Sequence, residues 1–239
     1  MNWIYLSPHF DDVALSVGGL LWEQSQAGEQ VSIWTICGGD LPRGEFSSFA
    51  EGLHKRWETG AESISIRRAE DKESCRLLGA ESVHFSIPDC IYRRSPKSNK
   101  HLYGSEQALW IPVHPDEEPL VTQITAEMSK KLQPNTQVVC PMTLGKHVDH
   151  RLTRMAAERM ELPLLFYADY PYVLATQNLP ELDKPPSIHA SISNQALEFW
   201  QKAVAAHQSQ ISSFWANLDE MRVAIQEFSQ LMDGIKLFN

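Results

Sequence analysis

Apolar positions follow two alternating spacings through the first two-thirds of the chain, and the alternation predicts strands interleaved with helices. Residues 3–6 are a short apolar run that predicts a buried strand. Residues 12–26 have helical spacing, and Gly28 marks where that helix stops. A second, β-branched run at 31–36 ends at Cys37-Gly38-Gly39-Asp40. The pattern then repeats: helix 67–78 closed by Gly79, strand 83–87, helix 118–132, strand 137–140, helix 151–161 and strand 164–167. Short apolar strands alternating with amphipathic helices predict an α/β fold, its mainly parallel sheet covered on both faces. Residues 194–214 and 218–231 read as helices expected to pack against that sheet. Two stretches, 40–63 and 89–119, carry no periodicity, and the second contains Pro96, Pro112, Pro115 and Pro119. Irregular segments of such length are expected to act as lids over a pocket.

Composition narrows the range of partners. A chain of 239 residues fits one large α/β domain or two small ones. The 43% hydrophobic content supports a sizeable core. A net charge of −9 and a pI near 5.5 argue against nucleic acid or an anionic membrane as partner, because both require a basic surface. A small polar substrate remains open. Cys37, Cys75, Cys90 and Cys140 are scattered and are expected to be reduced thiols. The first residues lack the basic and long apolar regions of a signal peptide, and no apolar run approaches the roughly 20 residues of a membrane span. A cytoplasmic protein is expected.

Two polar clusters follow predicted strands. Ser7-Pro8-His9-Phe10-Asp11-Asp12 follows the first, and His147-Val148-Asp149-His150 follows the fourth. Ligands of open parallel sheets bind beyond the carboxyl ends of the strands, so the clusters are expected to converge. Hydrolytic zinc sites take three His or carboxylate ligands and leave a position for water. His9, Asp12 and His150 would supply that set. Asp11 would remain as general base, and His147 as the acid that protonates the leaving nitrogen. Asp149 could orient a histidine through its second ring nitrogen. Each cluster alone also fits a polar helix start, where carboxylates favour the positive end of the helix dipole. His114-Pro115-Asp116-Glu117-Glu118 imitates the first cluster inside a proline-broken loop and is not expected to hold metal.

Taken together, Ser7-Pro8-His9-Phe10-Asp11-Asp12 with Gly18-Gly19, and His147-Val148-Asp149-His150-Arg151, resemble the two signature motifs of the PIG-L/LmbE family of zinc-dependent deacetylases. The resemblance implies a Rossmann-like, LmbE-like fold, with residues 1–239 as a single domain. It implies zinc, with Fe2+ or Co2+ able to take its place, on His9, Asp12 and His150. It further implies a base at Asp11 and an acid or oxyanion stabiliser at His147. Less specific matches imply substrate contacts at Arg68, on a helix ending in Leu78-Gly79, and at Asp89 after the third strand. The implied reaction removes an N-acetyl group from an amino sugar or similar amine. An amidase for larger N-acyl groups or thiol conjugates stays open, as does a sugar-binding protein without catalysis. Some members carry a tyrosine two residues before the position of His147, where this chain has Gly145; Tyr167, Tyr170 and Tyr172 are candidates to replace it. Arg43, His54, Lys55, Arg56 and Trp57 in one irregular stretch, and Arg93, Arg94, Lys97 and Lys100 in the other, could attract an anionic group or be solvated loop residues. Ala206-His207-Gln208-Ser209-Gln210 is similar to a C-terminal helix of the family and receives no chemical role.

Overall fold

The computed structural model describes residues 1–57, 62–175 and 185–239. Its strands are β1 (Asn2–Ser7), β2 (Gln30–Thr35), β3 (Glu81–His84), β4 (Thr136–Pro141), β5 (Leu164–Tyr167), β6 (Ile188–Ala190) and β7 (Ile235–Phe238). They form one sheet in the order β3-β2-β1-β4-β5-β7-β6. The first five are parallel, whereas β7 and β6 add an antiparallel edge. The chain steps outward from β1 to β3, then returns to lay β4 on the opposite side of β1. This reversal is a topological switch point, and a crevice opens beyond the carboxyl ends of β1 and β4.

Successive side chains of a strand point to opposite faces, and β1 obeys this rule closely. Trp3 and Tyr5 enter one core, while Ile4 and Leu6 enter the other. The helices are α1 (Asp12–Gln26), α2 (Ser48–Arg56), α3 (Ser63–Leu78), α4 (Glu118–Lys131), α5 (Val148–Glu158), α6 (Tyr172–Ala175), α7 (Asn194–Ala206), α8 (Gln208–Phe214) and α9 (Leu218–Leu231). α1, α3, α7 and α9 contribute to the first core, and α4 and α5 to the second. Trp200 of α7 is fully buried against α1 and donates its indole N–H to the Ala14 carbonyl at 2.6 Å. A Cβ placed on Gly18 would lie 2.6 Å from the indole, and one on Gly19 would lie 2.9 Å from it. Gly18-Gly19 is therefore the seat of Trp200.

Several elements depart from the sequence expectation. α3 starts at Ser63 rather than 67, and α5 starts at Val148 rather than 151, which draws the second polar cluster into its first turn. The β3 ladder begins at 81, yet the expected run stays beside β2 through Phe85 N–H to Thr35 O (2.9 Å) and Gly39 N–H to Ile87 O (2.8 Å). The helix expected over 194–214 breaks at His207, whose ψ is +56°. β6 and β7, which pair antiparallel with each other and, through β7, with β5, were not expected. The stretch 40–63 contains α2, capped by the Ser47 hydroxyl accepting from Ala50 N–H at 3.1 Å; residues 58–61 of it lie outside the described residues. Residues 89–119 carry a core of their own, and Asp89, Ile91, Leu109 and Trp110 among them line a cavity. Cys90, Ile91, Tyr92 and Tyr103 build a small core with Phe10, Ala50 and Val148. Among the described residues no helix is long and apolar enough to cross a membrane.

Candidate metal centre and active site

β1 and β4 deliver the two polar clusters to the same crevice. After β1 the Ser7 hydroxyl donates to His9 O at 2.5 Å and accepts from Val13 N–H at 3.2 Å, folding the turn against the start of α1. Asp12, in the first turn of α1, accepts from His9 N–H at 2.7 Å. The same oxygen lies 3.1 Å from His9 Nδ1, and the other carboxylate oxygen lies 3.2 Å from His150 Nε2. Two atoms held about 2.0–2.1 Å from a tetrahedral zinc stand roughly 3.3 Å apart, so both pairs have ligand spacing. His150 Nε2 is buried and has no hydrogen-bond partner, while its Nδ1 is tied to Asp169 Oδ1 at 2.6 Å. A carboxylate behind one ring nitrogen, and a buried second nitrogen facing a further carboxylate, is the donor arrangement that suits a cation. His9, His147 and His150 also each offer a ring nitrogen within 4.8 Å of the others. Overlapping sets on the far side of His9 bring in Asp89 with Asp149, and Cys90 with His147 and Asp149.

Charge distribution separates the three histidines. Burial disfavours the imidazolium of His9, but the carboxylates of Asp12, Asp149 and Asp89 outweigh it and raise its pKa well above the usual value. His150 is likewise opposed by burial, yet Asp12 and Asp169 lift it to about 9. Burial pushes Asp12 up, and the two imidazoles facing it bring it well below the usual carboxylate range. His147 behaves oppositely: burial, then the neighbouring His9, depress it to about 3. Its Nδ1 accepts from Asp149 N–H at 3.3 Å, so the neutral ring carries its proton on Nε2.

Asp11 caps α1 without a side-chain hydrogen bond to the helix, which leaves its carboxylate for other work. It stands 3.5 Å from Arg67 Nη2 and, with His9, Asp12 and His147, lines a cavity of about 250 Å³. Asp89 is in the same wall; one oxygen accepts from Ile91 N–H at 3.2 Å and the other lies 3.8 Å from His9 Nε2. Arg68 is elsewhere. Its guanidinium is bound to Gly38 O (2.8 Å) and Asp40 (2.7 Å), and the arginine in the cavity wall is Arg67. One residue of helical rotation accounts for the difference. A wider groove of about 610 Å³ opens at the opposite end of the sheet, beside Gln30, Glu81 and Thr136, far from these histidines.

Of the three candidate tyrosines, Tyr167 donates to Leu6 O at 3.0 Å inside the core, and Tyr170 stacks on Trp215. Tyr172 lines the cavity, edge-on to His150 at 5.5 Å. A Cβ on Gly145 would lie 2.3 Å from its ring, so Tyr172 occupies the space that a side chain at 145 would need. The loop cations also divide. Arg56 lines the cavity and Arg43, Lys55 and Lys100 are exposed, but Arg93 is buried between Asp149 and Glu117, and His54 is bound to Tyr92 at 2.6 Å. Arg93 is thus neither solvated nor open to substrate. Arg94 is fixed to Asn99 O at 2.9 Å and to Glu45 O, and Lys97 pairs with Asp116. In the imitation motif, His114 Nδ1 caps a turn by accepting from Asp116 N–H, and Glu117 faces Arg93. Asp169, Arg67 and Glu117 receive no role from the sequence. Asp169 alone had a signal, an acid just past a strand end, shared with Asp89.

Fold and cluster together place the chain among Rossmann-like α/β proteins with a His–carboxylate centre at the switch point. Residues 4–160 match the family model described as PIG-L, GlcNAc-PI de-N-acetylase, and the chain belongs to that family. It is similar to 2'-N-acetylparomamine deacetylase of Niallia circulans, 32% identical over 188 residues, which cover 71% of this chain and 66% of that protein. The protein of the same name from Streptomyces fradiae is 31% identical over 178 residues, covering 71% and 57%. The chain therefore spans less than two-thirds of the length of these curated relatives. Among solved structures, the zinc-inhibited form of teicoplanin deacetylase Orf2 shares the fold, with a TM-score of 0.81 at 22% identity over 99% of this chain and 96% of that one.

Proposed function

We propose that this protein is a metal-dependent hydrolase that removes an N-acyl group, foremost N-acetyl, from an amino sugar or sugar-like amine. The observation that carries the reading is the Asp12 carboxylate set at the switch point between His9 Nδ1 at 3.1 Å and the buried His150 Nε2 at 3.2 Å. His9, Asp12 and His150 would hold zinc, or Fe2+ or Co2+ in its place. A bound cation supplies Lewis-acid polarisation of the amide carbonyl and acidifies an attacking water. Asp11, uncommitted to the helix, takes the proton from that water and passes it to the departing amine. His147, neutral with its proton on Nε2, donates to the carbonyl oxygen as negative charge develops there. This favours the oxyanion role over the acid role for His147. The Tyr172 phenol is a second donor from the same wall. Asp149 orients His9, and Asp169 orients His150. Arg67 and Asp89 contact sugar hydroxyls, with Arg68 outside the wall.

The 32% identity to 2'-N-acetylparomamine deacetylase supports this substrate class. Strands from both ends of the chain share one sheet, which supports reading residues 1–239 as one domain. Four free, buried cysteines favour a reducing, cytoplasmic setting. A second reading, larger N-acyl groups, is favoured by the exposed Trp110 and Phe214 in the cavity wall. Metal analysis with a screen of N-acetylated amino sugars for amine release tests the assignment, and an acyl-length series on one amine separates the two readings. Asp11→Asn should lower kcat by about 10²–10⁴-fold with metal content intact. Protein that takes up neither zinc, iron nor cobalt and releases no amine would replace this reading with a sugar-binding role.

A further inference from the structure

Asp149 is completely buried and is held at three points. Oδ2 faces His9 Nε2 at 3.0 Å and accepts from Cys90 N–H at 3.0 Å, while Oδ1 accepts from Arg93 Nη1 at 2.5 Å. Arg93, itself buried, donates from Nη1 to Pro88 O at 3.2 Å and from Nε to Glu117 Oε1 at 2.5 Å. Glu117 is 3% exposed, and its second oxygen accepts from the Tyr103 hydroxyl at 2.5 Å. Tyr103 is fully buried and accepts in turn from His114 N–H at 2.9 Å. A line of groups therefore runs from the segment 89–119 to the ring of His9. Buried charges are costly unless paired, so this row of alternating sign is stable only while complete.

We infer that Arg93 and Glu117 are positioning residues that fix the orientation of the His9 ring through Asp149. A carboxylate anchored by Arg93 on one oxygen and by Cys90 on the other cannot rotate. The His9 ring that it faces is then held with Nε2 towards Asp149 and Nδ1 towards Asp12, the side on which His150 stands. Arg93 supplies a planar fork, with Nε reaching Glu117 while Nη1 reaches Asp149, a geometry that lysine cannot copy. The acid in the imitation motif thus acts through the true motif, with Arg93 and Asp149 between it and the histidine. The inference rests on reading His9 as a metal ligand, but the ring orientation can be measured without metal.

The test uses the whole chain with Arg93→Lys, Glu117→Gln and Tyr103→Phe, and with Arg94→Lys as a control outside the row. Two quantities are read: the ring ¹⁵N resonances of His9 in metal-free protein, and the zinc dissociation constant by chelator competition. Arg93→Lys should shift the His9 resonances and weaken zinc binding by about 10–100-fold, the range seen when groups that orient metal ligands are removed. Glu117→Gln should do the same to a smaller degree, and Arg94→Lys should change neither. If Arg93→Lys does not fold, Glu117→Gln and Tyr103→Phe carry the comparison. Unchanged His9 resonances and zinc affinity, with only a lowered melting temperature, would overturn the inference and leave the row as structural glue. Wild-type protein that takes up no zinc would defeat the metal reading instead, and the resonances alone would then decide the role of the row.

Discussion

Adjacent residues on one turn have different fates in this site. Asp11 keeps its carboxylate free of the helix it caps, whereas Asp12 reaches both histidines. The meeting of the two clusters was legible in the sequence because both end strands and both precede helices. The arginine was not legible. Arg67 and Arg68 are neighbours of identical chemistry, and only the helical phase of α3 decides which one meets Asp11 and which one meets Asp40. Losing a hydrogen bond to a charged group costs about 1.5–3 kcal/mol, or roughly 10–100-fold in kcat/KM. Arg67→Ala should therefore lower kcat/KM on an N-acetyl amino sugar by that factor, mainly through KM. Arg68→Ala should leave it within about twofold. Equal losses in both variants would mean that the cavity wall is assigned to the wrong residue.

Elements with a strong period were foreseen, and those made by tertiary contact were not. α1 and α9 have the bounds their spacing predicts, because burial agrees with periodicity in both and Asn217 caps the second. β6 and β7 are only three and four residues long and exist through pairing with each other and with β5. Within residues 89–119 proline and polar residues hide an internal core, and the buried pairing of Arg93 has no local signature. The Gly18-Gly19 pair illustrates the limit of motif reading. It belongs to the signature, yet what it touches is Trp200, which joins α1 to α7. Gly18→Ala would set a methyl 2.6 Å from the indole, and overpacking of this kind costs about 1–3 kcal/mol. Denaturant unfolding should register that loss, while zinc affinity stays at the wild-type value because no ligand moves. A variant as stable as wild type would mean that α7 shifts freely on α1.

At the scale of the molecule, folding and protonation are linked through one buried cluster, and their signs can be worked out. His150 has its pKa raised to about 9 in the fold. Its contribution to stability is therefore complete below the unfolded value near 6.5 and is lost as pH rises through about 9. His9, also raised, acts in the same direction. His147, depressed to about 3, acts in the opposite one: its contribution is complete above about 6.5 and is lost as pH falls towards 3. Metal-free protein should consequently melt highest near neutrality and lose stability between about pH 6.5 and 9. In that interval Asp12 and Asp169 lose the imidazolium of His150 that faced them. A divalent cation must displace the same protons, so its stabilising effect should grow across the interval in which the metal-free form weakens. Thermal melts at pH 6, 7, 8 and 9, with and without a slight excess of zinc, measure both trends at once. A metal-free melting temperature that climbs towards pH 9, or a zinc-induced shift that shrinks there, would show that His9 and His150 are not the proton-bearing groups of this centre. Convergence of the two curves at acid pH and divergence at alkaline pH is the signature expected of a proton and a metal that compete, as proposed, for the same nitrogens between β1 and β4.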